Sequence, residues 1–241
     1  LEVCGIDSGI RHSVGGADYR VVRAAAFMGY RIIAEVAGLP VQHGDVEGVV
    51  RIDDVKWKGY LANVTPEEFE SSYARHLPSK MAGCEFLYRF KGISDRVTSV
   101  NPELEYPVLA ATRHPIYEHA RVRSFAEILE GWQGVGPAER LGELMYQSHE
   151  SYSACGLGSA GTDELVKIVR GIGPARRLYG AKITGGGSGG TVAVLYDRGA
   201  EDVIKSVAEE YARRTNLRPA LIVGSSPGAG IFGHLRLMKD N

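Results

Sequence analysis

Residues 185–190 read Gly-Gly-Gly-Ser-Gly-Gly, and the chemistry this chain can offer concentrates there. So many glycines let a backbone approach a ligand closely, and consecutive free N–H groups cradle an anion. Two glycine-loop patterns fit the letters. G-x-G-x-x-G is the pyrophosphate loop of dinucleotide-binding folds, where it must open a helix. Here Thr191–Tyr196 follows, β-branched and strand-like, so that context fails. G-x-G-x-x-G-x-V, completed by Val192, is a nucleotide loop between two strands, but its companion motifs V-A-I-K, H-R-D and D-F-G are absent after it. No G-x-x-x-x-G-K-[ST] occurs. Gly185, Gly186, Gly187, Ser188, Gly189 and Gly190 therefore form either a wide hairpin turn or a ligand-facing loop. A second glycine-rich stretch, Gly224–Gly230, reads first as a turn.

The other reactive side chains are less pointed. Arg11 and His12 sit in a polar loop, where solvated or hydrogen-bonded roles are the simple expectation. Tyr19 stands at a helix start, and physics alone favours a core aromatic that pairs its hydroxyl. His114 and His149 fall on helical stretches without metal-ligand spacing and read as structural. Asp163 and Glu164 suit a helix N-terminus. Ser148 and Ser153 have no G-x-S-x-G context, which argues against a hydrolase. Cys4, Cys84 and Cys155 form no C-x-x-C pair and read as small buried hydrophobes. Too few for a disulfide framework, they suggest a reducing, cytoplasmic setting.

The scaffold for these groups has 241 residues, 44% hydrophobic and 24% charged, with a net charge of -1. That composition supports a buried core and excludes disorder of the whole chain. There is no basic stripe for nucleic acid and no apolar run long enough for a membrane span. No secretory signal opens the sequence; its first residues already read as a strand, as if a longer protein continued upstream.

Periodicity predicts a strand over 1–7 and a helix over 18–37, with Val22, Ala25, Ala26, Gly29, Ile33 and Val36 on one face. Gly29 inside that helix implies close packing. Residues 40–135 are less regular. A helix starts at Thr65-Pro66, and a helical stretch over 103–132 should be interrupted or kinked by Pro107 and Pro115. Pro137 opens a cleaner helix with Leu141, Leu144, Met145, Ser148 and Tyr152 on one face, and another helix starts at Thr162. Strands over 180–184 and 191–196 flank the glycine loop. A helix over 201–215 and final strands over 221–223 and 234–237 follow. This order favours an α+β two-layer sandwich, helices on a mainly antiparallel sheet, without a linker that divides the chain.

Three segments, in order, resemble the galactokinase branch of the GHMP kinases (galactokinase, homoserine kinase, mevalonate kinase, phosphomevalonate kinase). Ile6–Tyr19, with Arg23 beyond, is similar to the branch's N-x-x-[VI]-[KR]-H-x-L-x-x-S-[ED]-Y segment. Leu144–His149 running to Asp163–Val166 is similar to its L-M-x-x-S-H and E-L-D-x-L-V helix pair, and Gly180–Gly190 to the superfamily's third motif. The wording of Asp7–Tyr19, Arg113–Glu118, Tyr152–Ser159 and Gly224–Gly230 is most similar to plant-type L-arabinokinases.

The resemblance implies a ferredoxin-like GHMP kinase C-terminal domain over residues 1–241, its ATP-binding N-terminal domain lying outside this chain. It implies ATP and Mg2+, bound mainly by that absent domain, and a monosaccharide phosphorylated at its anomeric hydroxyl, of the L-arabinose or galactose type. Tyr19, with Asp18 beside it, would contact the sugar, and Gly185–Gly190 would lie beside the phosphates. The departures are equally definite. The R-x-N-L-I-G-E-H and G-L-S-S-S-A motifs are absent, and Asp7 stands where the family has Asn. The catalytic Asp of the branch lies upstream, so no catalytic or metal-binding residue is expected here and the chain should be inactive alone. The rival expectation is a stand-alone sugar- or partner-binding module. An uncovered cleft face would favour a homodimer.

Overall fold

The computed structural model describes residues 1–11, 17–132, 136–224 and 229–234. In chain order the elements are β1 (Glu2–Asp7), α1 (Ala17–Val36), β2 (Val41–His43), β3 (Gly48–Ile52) and α2 (Pro66–Glu68). Next come β4 (Met81–Ala82), α3 (Gly83–Phe90), β5 (Gly92–Ile93), β6 (Glu105–Tyr106), α4 (Val108–Glu130), α5 (Ala138–Ala154) and α6 (Ala160–Ile172). β7 (Leu178–Ile183), β8 (Thr191–Tyr196), α7 (Glu201–Thr215), β9 (Ala220–Ile222) and α8 (Ala229–Phe232) follow.

The main sheet has the order β7-β8-β1-β9 with every pair antiparallel. The first strand of the chain is therefore central and pairs with β8, Glu2 opposite Tyr196 and Asp7 opposite Thr191. The strand period of two sorts the side chains. Cys4, Ile6, Val192, Val194 and Tyr196 face Leu165 and Val169 of α6 and Ile204, Val207 and Tyr211 of α7. A bulge between Leu178 and Gly180 shifts the phase of β7, so Leu178 and Ala181 join that same core. Ala193 and Leu195, one position out of phase, meet Leu141 and Met145 of α5 and Phe125 and Ile128 of α4. The α+β class expected from the element order is the one observed.

A second core lies under α1 and α4, built from Met28, Ile33, Trp57, Phe69, Phe86, Ile93 and Tyr106. The irregular region expected over 40–135 is in fact organised around it, with a three-stranded sheet β2-β3-β5 and a β4–β6 pair. These strands are only two to five residues long, too short to show a period. Gly29 does mark close packing: a Cβ there would fall 1.6 Å from Thr112 Oγ1 on α4. Val36, assigned to the buried face, is exposed at the last turn.

Two further expectations change. Pro107 precedes α4 rather than interrupting it, and α4 runs through Pro115, because Ala111, Thr112 and Ile116 are buried around it and packing outweighs one lost hydrogen bond. α6 begins at Ala160, earlier than Thr162, because Ser159 and Thr162 form a capping box. The strand expected over 234–237 lies, beyond His234, outside the described residues, as do residues 225–228 of the second glycine stretch. Among the described residues no helix is long and apolar enough to cross a membrane.

α5 lies directly on β7. A Cβ on Gly142 would sit 1.8 Å from Tyr179 O, and one on Gly180 would sit 2.4 Å from Gly142 Cα. Gly142→Ala is expected to destabilise by about 2–3 kcal/mol through overpacking against backbone, lowering Tm by roughly 5–10 °C. Gly171→Ala in α6, where a Cβ meets nothing within 4 Å, should leave Tm unchanged or slightly raised. Thermal unfolding of both variants checks the contrast.

Candidate functional site

The glycine loop leaves β7 and returns into β8. Its stem is closed by Thr184, whose N–H and Oγ1 both donate to Thr191 O at 2.9 Å. The loop is pinned from two sides. Ser188 N–H donates to Leu157 O at 2.6 Å, and Gly190 N–H to Ile10 O at 3.2 Å, while Gly190 O accepts from Ser8 N–H at 2.9 Å. Gly187 must be glycine: its φ is +85°, and a Cβ would lie 2.6 Å from Leu157 O. Among the described residues no acceptor engages the amides of Gly185 and Gly186, of which Gly185 is exposed. The loop is thus a rigid turn with two consecutive N–H groups to offer an anion. The hairpin and ligand-facing readings are compatible.

Tyr152, near the end of α5, reaches this loop. Its hydroxyl donates to Gly185 O at 3.1 Å. Its ring stands edge-on to His114, centroids 4.7 Å apart, and Lys182 Nζ lies 5.9 Å from the ring centroid. Burial pushes the Tyr152 phenol up, and Glu118 and Tyr19 add to the effect. Half-buried His114 pairs Nδ1 with Ser151 Oγ at 2.8 Å, and desolvation pushes it down to about 4, so it is neutral at pH 7.

Tyr19 stands on the first turn of α1 with its side chain partly exposed, not in the core. One turn on, Arg23 makes a two-pronged contact with Asp95, Nε to Oδ2 at 2.8 Å and Nη2 to Oδ1 at 3.0 Å. Asp95 also accepts from Val97 N–H, Thr98 N–H and Thr98 Oγ1. Arg23, helped by these donors against burial, holds that carboxylate well below its usual range. The Arg23 guanidinium is held charged chiefly by Asp95, and the Tyr19 hydroxyl contributes.

Of the residues singled out in the sequence, the Gly185–Gly190 loop is held by Tyr152, while Tyr19 stands on the first turn of α1. The Asp18 side chain and His12 lie outside the described residues. Arg11 is exposed and, among the described residues, reaches only Asp7, at 3.9 Å. Asp163 does more than serve a helix terminus, since it accepts from Ser153 Oγ at 3.0 Å and lies 3.1 Å from His149 Nε2. Burial pushes the thiols of Cys4 and Cys155 up to about 11 and about 12, which leaves them inert. Cys84 differs from the expected buried hydrophobe and is exposed at the start of α3.

A mostly apolar cleft of about 360 Å³ lies elsewhere, between Val3, Val122, Phe125, Leu129 and Leu144. At one end Glu118 accepts from Ser148, Lys182 and Arg121. Burial alone would raise Glu118, but these three partners hold it below its usual value. Neither Tyr19 nor the glycine loop lines this cleft.

Asp95 gives a test of the support under Tyr19. Asp95→Asn is expected to lose about 2–3 kcal/mol at pH 7, because it unpairs a buried charge contact whose Arg23 side is partly wet. Asp95 has a depressed pKa in the fold. Its contribution is therefore whole above the unfolded carboxylate value of about 3.9 and is lost as pH falls through the folded value. Urea unfolding should show a constant gap between wild type and variant from pH 5 to 7 that narrows below about pH 4.

Comparison with known proteins joins these observations. The family model "GHMP kinases C terminal" matches residues 125–213. L-arabinokinase of Arabidopsis thaliana is 42% identical over 257 residues, covering 98% of this chain and 24% of that protein. Galactokinase of Thermosipho africanus is 33% identical over 123 residues, covering 50% of this chain and 33% of that protein. The crystal structure of Lactococcus lactis galactokinase complexed with galactose shares the fold, with a TM-score of 0.60 at 16% identity over 91% of this chain and 44% of that one. The chain spans about a quarter of the one curated relative and a third of the other. Residues 125–213 are thus similar to the C-terminal part of GHMP kinases, and the chain shares the galactokinase fold over 91% of its length.

Proposed function

We propose that this chain is the C-terminal part of a sugar-1-kinase, which transfers the γ-phosphoryl of ATP to the anomeric hydroxyl of a monosaccharide of the L-arabinose or galactose type. The observation that carries the reading is Tyr152. Its hydroxyl holds Gly185 O, so the loop that resembles the family's phosphate element is fixed from α5, the helix that carries the segment similar to the family's L-M-x-x-S-H. In this reading Tyr19, with Asp18 beside it, hydrogen-bonds the sugar. The Gly185–Gly190 loop offers its free amides to the phosphates. The Arg23–Asp95 contact keeps Tyr19 in place.

Phosphoryl transfer depends on positioning and charge stabilisation. The described residues supply the first and little of the second. They contain no group of three or more His, Cys, Asp or Glu side chains arranged to hold a metal ion. Asp163 and Glu118, on the helices flanking β7, are already engaged by neighbouring donors. Mg2+ does not fit these residues, and we assign it, with most of the ATP contacts and the catalytic base, to an N-terminal domain outside this chain. The reading makes the chain alone inactive.

The test is coupled ADP release, first from the chain alone and then from the chain joined to its upstream sequence, against L-arabinose, galactose and other aldoses. Turnover only in the joined protein is the expected outcome, and the preferred sugar names the substrate. Absence of turnover with every sugar, alongside measurable sugar or nucleotide affinity, would instead identify a binding module. In the active protein Tyr19→Phe should raise the sugar KM about tenfold, one hydrogen bond's worth, and leave the ATP KM unchanged.

A further inference from the structure

β7 is an edge strand of the main sheet, and an edge leaves every second backbone amide without a strand partner. At the last residue of β7, Ile183, that outward N–H does not meet water. It donates to His149 Nδ1 at 3.3 Å. The opposite ring nitrogen, Nε2, lies 3.1 Å from Asp163 Oδ1, and the side chain is nearly buried at 6% exposure. Because Nδ1 accepts, the proton sits on Nε2, the nitrogen beside Asp163. The histidine is neutral with one fixed tautomer: burial lowers its pKa while Asp163 works in the other direction.

The position of this ring matters more than its charge. Ile183 is followed by Thr184, locked to Thr191, and then by Gly185. Three residues along α5 from His149, on the same helix face, Tyr152 holds the Gly185 carbonyl. Asp163, which anchors His149, also accepts from Ser153 Oγ and sits in the first turn of α6. One side chain thus ties three elements, α5, β7 and α6, at the point where the strand becomes the loop.

We infer that His149 is a positioning residue for the glycine loop: by accepting the Ile183 N–H while its Nε2 lies against Asp163 it fixes the strand end that aims the amides of Gly185 and Gly186. The inference rests on the phosphate-side reading of that loop, so its test has one arm that does not need turnover.

In that arm, amide hydrogen exchange is followed in the chain and in two variants. His149→Leu keeps the volume and removes the hydrogen bond from Ile183 and the polar contact with Asp163. His149→Asn keeps an acceptor at the Nδ1 position. His149→Leu should speed exchange at Ile183 and at Thr184, whose N–H donates to Thr191 O, at least about tenfold while amides in α7 stay as protected as before, and His149→Asn should restore most of the protection. Uniform acceleration across the chain, or no change at Ile183, would overturn the inference. The second arm uses the joined, active protein. The ATP KM should rise about tenfold in His149→Leu with the sugar KM unchanged, and fall back within about threefold in His149→Asn. An unchanged ATP KM in His149→Leu would also overturn it. Failure of the joined protein to turn over any sugar refutes the kinase reading instead and leaves the exchange arm to decide.

Discussion

The site depends on a contact in which two side chains are missing. Gly142 of α5 and Gly180 of β7 face each other so closely that a Cβ on either would meet backbone. Glycine is a poor residue for a helix or strand interior, costing about 1 kcal/mol relative to alanine. Here it lets a helix lie flush on a sheet edge. The consequences run along α5. Leu141 and Met145 reach one face of the sheet, and Tyr146 joins the core on the other. Two turns on from Gly142, His149 meets the end of β7, and Tyr152 meets the loop beyond it. If the helix stood a few ångströms further out, neither contact would form.

The same seam connects the two cores. Leu157 and Cys155, just past α5, belong to the core under α1 and α4. Leu157 O also receives the Ser188 amide of the glycine loop. The loop is therefore braced by the core that carries α1, and α1 carries Tyr19. Arg23, one turn along α1 from Tyr19, is tied to Asp95, which lies far away in the chain. In the proposed reading, Tyr19 and the glycine loop belong to elements joined through one packed core. Phosphoryl transfer needs that kind of preorganisation.

Much of this was legible in the sequence. β8 and α7 fall where alternation and helical period put them, and the glycine loop lies between two strands as its context required. Gly29 was readable as a close approach because a glycine inside a strong helix asks for a reason. What was not legible is mostly long-range. β1 pairs with a strand near the other end of the chain, and alternation does not name a partner. α4 continues through Pro115 because its neighbours bury it. His149 was read as structural on the grounds that it lacks metal spacing, and its contacts with Ile183 and Asp163 have no spacing signature. A weak signal was available: His149 and Tyr152 are three apart on a helix, so they share a face. Tyr152 joined the expected apolar stripe, but nothing local pointed its hydroxyl at Gly185.

The central claim is that Tyr19 and the glycine loop form one site with Tyr152 between them. A double-mutant cycle on kcat/KM in the joined protein, using Tyr19→Phe, Tyr152→Phe and the pair, tests it most directly. One site predicts a coupling energy of about 1 kcal/mol, because both residues would act on the same bound substrates. Additivity within about 0.3 kcal/mol would mean that the two residues act independently, and the single-site account would be wrong.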